Sequence, residues 1–438
     1  MNALAEQLNQ TIKAKAPHIY DMLSDVGKKL FFPKGILSQS AEAKEKAHHI
    51  NATIGIAKQE GHTMRLDSTM EMICNLRASE SLTYAPSFGI PALRSRWQAE
   101  MLEKNPSLEG KSISLPVVTC GITHGVATFA DVWINPDDVI VIPNMMWGNY
   151  NMIFSIRKNA RIRHYELFTP EGRFNLGAFE QAIRQEAMDQ RKISVLLNFP
   201  QNPSGYTLTH KEAERIVEIL VDVAAAGTYV LAVMDDAYFG LFYESNTVKE
   251  SIFSLLCGAH PGILAVKLDG ATKEEYVWGL RVGFITYGGA FGDDPQTLYE
   301  ALERKTAGCI RGTISNASHL SQTVLLKMLQ HPNHSEEKKI KYEILKARAE
   351  RVKAVSCNPR YASAWDVFPF NSGYFMCIRI KTVNAEALRV HLLDRYGIGL
   401  ISLGQSDLRV AFSCMEKEDV EPLFDTIFKG IQELEKST

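Results

Sequence analysis

The sequence predicts an α/β protein built on a mostly parallel sheet with helices on both faces. Between about residues 112 and 290, short β-branched apolar runs alternate with longer amphipathic stretches. One of these stretches opens with Thr209-His210-Lys211-Glu212, a capping box that begins a helix, and Gly227 is its expected end. At 438 residues the chain is longer than a single core usually grows, so we expect a second domain.

Five apolar runs are the predicted strands of this sheet. Each is short and rich in β-branched residues, as buried strands are; they are Val139 to Ile142, Ile193 to Leu197, Tyr229 to Met234, Ile263 to Val266 and Val282 to Thr286. The helix that Thr209 begins has an apolar face that should pack on the sheet, formed by Ile216, Val217, Leu220 and Val221.

The C-terminal part of the chain predicts a smaller α+β domain. A long basic helix is expected over Glu337 to Val355, ended by Asn358-Pro359, with a buried stripe of Ile340, Ile344, Leu345, Val352 and Val355. Strands are expected around Tyr374 to Ile380 and Leu408 to Phe412, followed by a closing helix from about Lys417 that the pattern Ser413-x-x-Glu416 would cap. We therefore predict a large domain over residues 61–335 and a small domain formed by residues 1–60 and 336–438.

Composition and charge exclude several classes of function. The 48 Lys and Arg residues nearly balance the 50 Asp and Glu residues, so a net charge of −2 gives no basis for binding nucleic acid or an anionic membrane. The seven cysteines are scattered singly, which indicates a reduced chain with neither disulfides nor a zinc site. Glu6 interrupts any secretory signal, and the longest uncharged apolar run, between Asp222 and Asp235, is too short for the roughly 20 residues of a membrane span. A cytoplasmic location is expected.

Polar residues follow the predicted strands directly, at the sheet edge where α/β proteins bind ligands. Asn198 to Gly205 follow one strand, Asp235 to Tyr238 the next, and Asp269 to Lys273 the one after, with Arg281 eight positions beyond the lysine. An earlier turn, Thr119 to Gly125, leads into a helix and can offer backbone N–H groups to an anion. An amine, carboxylate, phenol, amide and guanidinium are thus expected on one rim.

In order and spacing these groups resemble the signature of the pyridoxal-phosphate (PLP) aminotransferases of the aspartate aminotransferase fold family. The resemblance runs from about Asn51 to Phe412. Lys273 and Arg281 keep the family's interval between its PLP lysine and its phosphate-binding arginine. Asn202-Pro203-Ser204-Gly205 is similar to the family's Asn-Pro-Thr-Gly, and Asp235-Asp236-Ala237-Tyr238 to its Asp-x-Ala-Tyr. The resemblance implies the family's large PLP-binding α/β domain with a smaller α+β domain, and PLP as cofactor.

The resemblance also assigns the contacts to the cofactor ring. Lys273 would hold PLP covalently and move a proton at the substrate Cα, which requires an amine of lowered pKa. Asp235 would keep the pyridine nitrogen protonated, so that the ring can accept electron density. Tyr238 and Asn202 would hydrogen-bond the ring oxygen, and Trp147 would stack on the ring.

At the phosphate end, the resemblance implies anchoring by Arg281, by Thr272 and by the turn of Gly121, Ile122 and Thr123. Tyr84 is similar to the tyrosine that reaches the cofactor phosphate of the neighbouring subunit.

One position departs from the family pattern. Three residues before Lys273, where the family commonly has a phosphate-binding serine, this chain has Gly270. Thr272 or Asp269 is therefore expected to take over part of that network. Asp236 is expected to be a solvated or capping residue.

Three further residues bear on the substrate. Arg409 lies where the family's arginine binds the substrate α-carboxylate with two parallel hydrogen bonds. Arg311 resembles an arginine that crosses the dimer interface to bind a side-chain carboxylate, and Gly55 would let the backbone approach the ligand. These features favour aspartate, leave an aromatic substrate open, and imply a homodimer with shared active sites.

We therefore predict an aminotransferase that moves an amino group from aspartate or an aromatic amino acid to 2-oxoglutarate by a ping-pong cycle. A PLP-dependent lyase or decarboxylase shares every ring contact and stays open. A nucleotide-binding module would rest only on the glycines of residues 288–292, which lack a phosphate-loop motif. A ligand-sensing regulator would need a DNA-binding segment, and the residues before Asn51 have neither its length nor its charge.

Overall fold

The computed structural model describes residues 2–31, 36–292 and 294–436. Its α-helices are α1 (Ala3–Lys15), α2 (Pro17–Met22), α3 (Asp25–Lys29), α4 (Ile36–Lys46), α5 (Asp67–Cys74), α6 (Ala78–Ser81), α7 (Pro91–Lys104), α8 (Gly121–Trp133), α9 (Leu176–Asp189), α10 (His210–Ala225), α11 (Ile252–Leu256), α12 (Ala271–Glu274), α13 (Pro295–Thr313), α14 (His319–Leu329), α15 (His334–Ser356), α16 (Ala385–Tyr396) and α17 (Val420–Glu435). A π-helix covers Asn151–Arg157.

The strands belong to four sheets. They are β1 (Ile50–Asn51), β2 (Lys58–Gln59), β3 (His62–Thr63), β4 (Val117–Thr119), β5 (Val139–Pro143), β6 (Arg161–Tyr165), β7 (Lys192–Leu197), β8 (Tyr229–Asp235), β9 (Ile263–Gly270), β10 (Gly283–Gly289), β11 (Trp365–Val367), β12 (Phe375–Ile380), β13 (Ile398–Gly399), β14 (Ile401–Leu403) and β15 (Asp407–Ala411). The five strands predicted between residues 139 and 286 are confirmed, with β9 and β10 running further than expected.

The largest sheet has seven strands in the order β4-β10-β9-β8-β7-β5-β6. All neighbouring pairs are parallel except those of β10, which runs antiparallel to β4 and β9. The prediction of an α/β fold with a mostly parallel sheet is therefore confirmed. Because β7, β8 and β9 are adjacent and parallel, their carboxyl ends lie side by side, and the residues after them meet at one edge.

Helix α10 shows how local sequence sets an element. The predicted capping box forms: the Glu212 N–H donates to Thr209 Oγ1 (3.4 Å) and the Thr209 N–H donates to Glu212 Oε2 (2.8 Å). Ile216 and Leu220 are fully buried on its inner face. Gly227 follows the helix with φ +104°, a conformation that favours glycine and ends the helix.

The C-terminal region forms a second sheet of four antiparallel strands, in the order β11-β12-β15-β14. Strand β1 pairs in parallel with β13, with Ile50 opposite Ile398, so the start of the chain is joined to this C-terminal region. Helix α15 runs across the expected boundary near residue 335. The domain limits themselves stay a prediction.

Two details of the C-terminal prediction are wrong. Of the stripe expected on α15, Leu345, Val352 and Val355 are buried, but Ile340 is 49% exposed and Ile344 is only partly buried. The cap expected at Ser413-x-x-Glu416 does not form, because the Ser413 hydroxyl donates to the carbonyl of Ile56 (2.6 Å). Helix α17 starts at Val420 with no side-chain cap.

No helix in the described part of the chain is long and apolar enough to cross a membrane.

Candidate active site

A pocket of ≈ 500 Å³, counted to its open mouth, lies at the carboxyl ends of β7, β8 and β9. It brings together nine of the residues singled out from the sequence: Ile122, Thr123, Trp147, Asn202, Asp235, Tyr238, Thr272, Lys273 and Arg281. The strand ends supply Asp235 and the segment leading to Lys273, the turn into α8 supplies Ile122 and Thr123, and Asn202 follows β7. These side chains were expected on one rim, and they share one cavity.

Asp235 is a buried residue held by three hydrogen bonds, two of them to its carboxylate. Tyr150 donates its hydroxyl to Oδ2 (2.6 Å), and the N–H of Ala237 donates to Oδ1 (3.2 Å). Asn198 Nδ2 donates to the main-chain carbonyl of Asp235 (2.7 Å). Burial raises the pKa of Asp235, while the Tyr150 hydroxyl and the positive charge of Lys273 oppose that rise.

Sequence reasoning missed Tyr150. Its ring packs edge-on against Trp147, with centroids 5.4 Å apart, and it lies one helical turn beyond that tryptophan. A buried phenol whose only charged partner is a carboxylate orients the carboxylate and favours its ionised form. The available signal was a hydroxyl-bearing aromatic three residues after Trp147, on the same face of a helical turn.

Lys273 reaches into this pocket from the short helix α12. Its Nζ lies 4.9 Å from the centre of the Tyr238 ring, and its main-chain carbonyl accepts a hydrogen bond from Tyr374 (3.3 Å). Burial lowers the pKa of Lys273 to about 8; the charge of Arg281 adds to this, and that of Asp235 opposes it. An amine with that pKa is a substantial fraction neutral near physiological pH, as a nucleophile or proton carrier requires.

The first turn of α8 and Arg281 form a cradle at another part of the pocket. Gly121 has φ +74°, and a Cβ added to it would lie 2.5 Å from Arg281 Nη2, so only glycine fits this close approach. Thr272 Oγ1 is buried and has no hydrogen-bond partner in the described residues. Thr123 lines the same part of the pocket. A guanidinium, an unpaired hydroxyl and a helix start together suit a phosphate group.

Asp236 and Asp269 contradict their predicted roles. Asp236 is only 3% exposed and is neither solvated nor a cap: its Oδ2 lies 2.6 Å from Lys267 Nζ and accepts a hydrogen bond from Ser251. Asp269 faces away from the phosphate cradle, since its carboxylate pairs with Lys267 (2.9 Å) and accepts from Trp97 Nε1 (3.2 Å). The buried lysine explains both positions, because a buried carboxylate requires a partner charge.

Arg409 lies on β15 beside the pocket. Its Nη2 donates to the carbonyl of Thr53 (2.9 Å) and its Nη1 to Asn202 Oδ1 (3.4 Å), while the guanidinium lies 4.2 Å from the centre of the Phe375 ring. Nε is buried and has no partner among the described residues. Gly55 lies near Tyr238, whose hydroxyl would be 3.5 Å from an added Cβ. A planar guanidinium with unused donors is suited to a carboxylate.

Tyr84 and Arg311 do not join this pocket within the chain. Tyr84 is 91% exposed. Arg311 is exposed near the end of α13, where its Nη1 donates to Ser315 Oγ (2.6 Å).

A family model described as "Aminotransferase class I and II" matches residues 47–427 of this chain. The chain belongs to the class I and II aminotransferase family. An aspartate aminotransferase of Bacillus sp. (strain YM-2) is 25% identical over 257 residues, which are 58% of this chain and 62% of that relative, less than two thirds of its length. A probable N-acetyl-LL-diaminopimelate aminotransferase of Bacillus subtilis is 21% identical over 361 residues, 81% of each chain.

Solved aminotransferase structures share the fold. An aminotransferase from Anaerococcus prevotii superposes with a TM-score of 0.82 at 21% identity, over 93% of this chain and 98% of that one. A kynurenine aminotransferase from Pyrococcus horikoshii, solved with pyridoxamine phosphate (PMP), superposes with a TM-score of 0.77 at 15% identity, over 95% and 98% of the two chains.

The cofactor of class I and II aminotransferases is PLP. The pocket fits this group: it offers an amine of lowered pKa in Lys273 and a buried carboxylate in Asp235. It also has an aromatic face in Trp147, and a cradle with the unpartnered Thr272 hydroxyl beside Arg281. The amine therefore matches the aldehyde of PLP, the carboxylate matches its pyridine nitrogen, the aromatic face matches its ring, and the cradle matches its phosphate.

Proposed function

We propose that this chain is a PLP-dependent aminotransferase that moves the amino group of an L-amino acid to 2-oxoglutarate, with aspartate as the first candidate donor and an aromatic amino acid as the second. The observation that carries the proposal is the meeting, in one pocket, of the Lys273 amine with the buried Asp235 carboxylate. A carboxylate paired to a ring nitrogen and an amine of near-neutral pKa are the two groups that amino transfer needs most.

When bound, PLP supplies an aldehyde for an amine and a protonated ring that withdraws electron density from the substrate Cα. Asp235 would hold the proton at the ring nitrogen, and Tyr150 holds Asp235. Lys273 would hold the group covalently through its aldehyde, with loss of water, and once the substrate amine has displaced it the free lysine amine would move a proton at Cα, for which its pKa of about 8 is suited. Tyr238 and Asn202 would donate hydrogen bonds to the ring oxygen.

The remaining pocket residues position the two ends of the reacting pair. Trp147 covers the ring face, and Arg281, Thr272 and the turn of Gly121, Ile122 and Thr123 bind the phosphate. Arg409 binds the α-carboxylate of the amino acid. Holding that carboxylate fixes which bond of Cα stands perpendicular to the ring, so Arg409 selects proton removal over loss of carbon dioxide.

The donor proposal rests on Arg311 and Gly55. A second guanidinium would bind the side-chain carboxylate of aspartate, glutamate or their oxo acids, and Gly55 leaves room beside Tyr238 for the ligand. Two of the relatives carry names that support this choice: besides the Bacillus aspartate aminotransferase, an aromatic-amino-acid aminotransferase of Thermococcus litoralis is 25% identical over 210 residues.

The site is proposed to be completed in a homodimer. Tyr84 is almost fully exposed and Arg311 is exposed, although both are assigned to ligands. Placing Tyr84 on the neighbouring subunit's phosphate and Arg311 on its substrate gives each exposed side chain a ligand. The cytoplasmic location stays a prediction.

The test uses the purified full chain loaded with PLP. Absorbance of bound cofactor and borohydride labelling of Lys273 are expected, and absence of both contradicts the proposal. Amino acids are then added singly while the cofactor band is followed. With aspartate and 2-oxoglutarate, formation of oxaloacetate and glutamate supports amino transfer, whereas alanine, ammonia or carbon dioxide would indicate a PLP-dependent lyase or decarboxylase.

A further inference from the structure

Arg348, in the middle of α15, is a charged side chain that is only 1% exposed. Its Nη1 donates to two main-chain carbonyls, those of Lys58 (2.6 Å) and Ser413 (3.0 Å). Its Nη2 pairs with Glu416, whose side chain is 37% exposed. Burying a guanidinium is costly unless its donors are used. Here the N–H groups of Arg348 bind two separate segments of the chain, one at Lys58 and the other at Ser413 and Glu416.

Those two segments lie beside the pocket, since Gly55 of one is close to Tyr238 and Arg409 of the other donates to Asn202. The first runs from Ala52 to Lys58 and contains Gly55; the second runs from Arg409 to Glu416. A ladder of hydrogen bonds joins them: Ala411 N–H to the Ala52 carbonyl (3.0 Å), Arg409 to that of Thr53 (2.9 Å), Cys414 to that of Ile54 (2.9 Å) and Ser413 Oγ to that of Ile56 (2.6 Å). Arg348 adds a link between Lys58 and Ser413, and beyond it the Glu60 N–H donates to Glu416 Oε1 (2.7 Å).

Arg409 depends on this ladder for its position. The guanidinium stacks on Phe375 (4.2 Å), its contact with Asn202 is long (3.4 Å) and its Nε has no partner in the described residues, so the bond to the Thr53 carbonyl (2.9 Å) is its short hydrogen bond. A shift of the first segment would therefore move both the guanidinium and the backbone at Gly55. A misplacement of about 1 Å in a group that positions a substrate can lower the efficiency of a reaction by about 100-fold.

The same helix is also fixed at its other end, behind the lysine. His334 Nε2 lies 2.6 Å from Glu275, and Lys338 Nζ lies 2.7 Å from Glu275 and 3.0 Å from Glu274. These glutamates directly follow Lys273 in the chain. Lys338 and Arg348 are ten residues apart, about 15 Å along a helix. Helix α15 thus contacts both the segment that contains Lys273 and the two segments joined by the ladder of hydrogen bonds.

We infer that Arg348 is a positioning residue for the amino-acid substrate: by holding the Ala52–Lys58 and Arg409–Glu416 segments together, it sets where Arg409 and the backbone at Gly55 meet the substrate. The inference rests on the proposed function, since it needs an amino acid with an α-carboxylate. Arg348 itself lies outside the pocket and contacts neither ring nor phosphate residues, so its effect falls on substrate binding and spares the cofactor.

The experiment compares holoenzymes carrying Arg348→Met, Arg348→Lys and the matched control Glu416→Gln, which changes only the half-exposed partner. The half-reaction rate is followed against amino-acid concentration through the cofactor absorbance. Arg348→Met is expected to raise the half-saturating concentration at least about tenfold, with the maximal rate changed less than about threefold. Arg348→Lys should recover part of the loss, and Glu416→Gln should change it less than about twofold.

The pH dependence of the cofactor absorbance gives the decisive second readout. It should be the same in Arg348→Met as in the wild type. A shifted midpoint, or a fall in maximal rate as large as the rise in half-saturation, would overturn the positioning role. So would a folded Arg348→Met enzyme with wild-type half-saturation.

A milder variant covers the case in which Arg348→Met does not fold. Ser413→Ala removes only the rung to Ile56, and it should raise the half-saturating concentration about threefold in the same direction. If both it and Arg348→Lys match the wild type, the inference is wrong. A wild-type enzyme that reacts with no amino acid overturns the proposed function together with this inference, whereas a reactive wild type with unaffected variants overturns the inference alone.

Discussion

Two groups of residues that the sequence assigns to one site differ in their exposure to solvent. Asp235 and Tyr238 are buried and Lys273 is partly buried beside them, all within one pocket. Tyr84 and Arg311 are exposed, and neither lines that pocket. The interior group is organised by a single chain before any ligand arrives. The exposed group lies outside that pocket, and within the described residues Arg311 donates only to Ser315, so the difference predicts two kinds of behaviour on mutation.

The largest loss should follow from the centre of the interior group. Lys273→Ala removes the amine that joins the cofactor and carries the proton, so the half-reaction rate should fall by about 10⁴-fold or more. Borohydride should no longer attach the cofactor to the chain. The matched control is Lys211→Ala, at an exposed lysine on α10, which should keep the wild-type rate. Retained labelling in Lys273→Ala would place the covalent bond elsewhere.

Asp235→Asn should be the next most damaging change. An amide of the same shape cannot hold a proton at the ring nitrogen by charge, so the half-reaction rate should fall about 10³-fold while the fold is kept. Stopped-flow absorbance measures the rate and circular dichroism checks the fold. Asp222→Asn, at an exposed carboxylate, is the control. A loss below about tenfold would remove Asp235 from the reaction.

Arg311→Ala tests the exposed group by selectivity. We expect kcat/KM for dicarboxylate substrates to fall about 10- to 100-fold, because a charge-assisted pair to the side-chain carboxylate is lost, and kcat/KM for aromatic substrates to change less than about threefold. Arg304→Ala, at an exposed arginine on the same helix, is the control. Equal losses for both substrate classes would contradict the assignment.

The same variant sharpens the contrast when chains are mixed. If Arg311 acts on the neighbouring subunit, a dimer of one Lys273→Ala chain and one Arg311→Ala chain contains one site with both residues intact. Mixing the inactive Lys273→Ala preparation with the weakened Arg311→Ala preparation should then raise dicarboxylate activity above that of either one alone. No recovery after verified subunit exchange would mean that both residues serve the same chain's site.

Tyr150→Phe should move the pH profile. The Tyr150 hydroxyl favours ionised Asp235 and so lowers its pKa; without that hydrogen bond the pKa of Asp235 rises. Asp235 would then become protonated, and activity would be lost, at a higher pH than in the wild type. The pH dependence of the half-reaction measures this shift. Tyr165→Phe, at a buried tyrosine away from Asp235, should leave the profile unchanged.

The smallest effect is expected from Tyr84→Phe. Only one hydrogen bond to the phosphate is lost, and Arg281 and the turn at Gly121 remain, so PLP affinity should weaken about three- to tenfold. Equilibrium dialysis of the cofactor measures the change. Tyr229→Phe, at a tyrosine that is 53% exposed, serves as control. Complete loss of the cofactor would mean that the interior cradle is insufficient.

The interior residues could be predicted because each follows a strand. The carboxyl ends of parallel strands share one edge, so Asp235 and Lys273 had to be close once β8 and β9 were recognised. The role of Tyr150 was not predicted, because its partner Asp235 is 85 residues away in the sequence and the two meet only in the folded chain. Its place one turn beyond Trp147 was the only local sign.

Charge pairing inside the sheet was also missed. Lys267 and Asp269 are two residues apart on one strand, hence on the same face, and that spacing would have indicated a buried pair. Ile340 was expected to be buried from its helical spacing, which identifies the stripe but not how far along the helix the core extends.

The pairing of Lys267 with Asp236 and Asp269 limits how this chain can diverge. Replacing the lysine alone leaves two buried carboxylates without a positive partner, and replacing one aspartate leaves the lysine with a single negative partner. Changes of this kind lower the free energy of unfolding by about 3–5 kcal/mol. Replacing all three by apolar residues of similar volume removes the charges together and can be nearly neutral. Homologous sequences should therefore carry this trio whole or lack it whole, and a protein engineer should treat the three positions as a single unit of substitution.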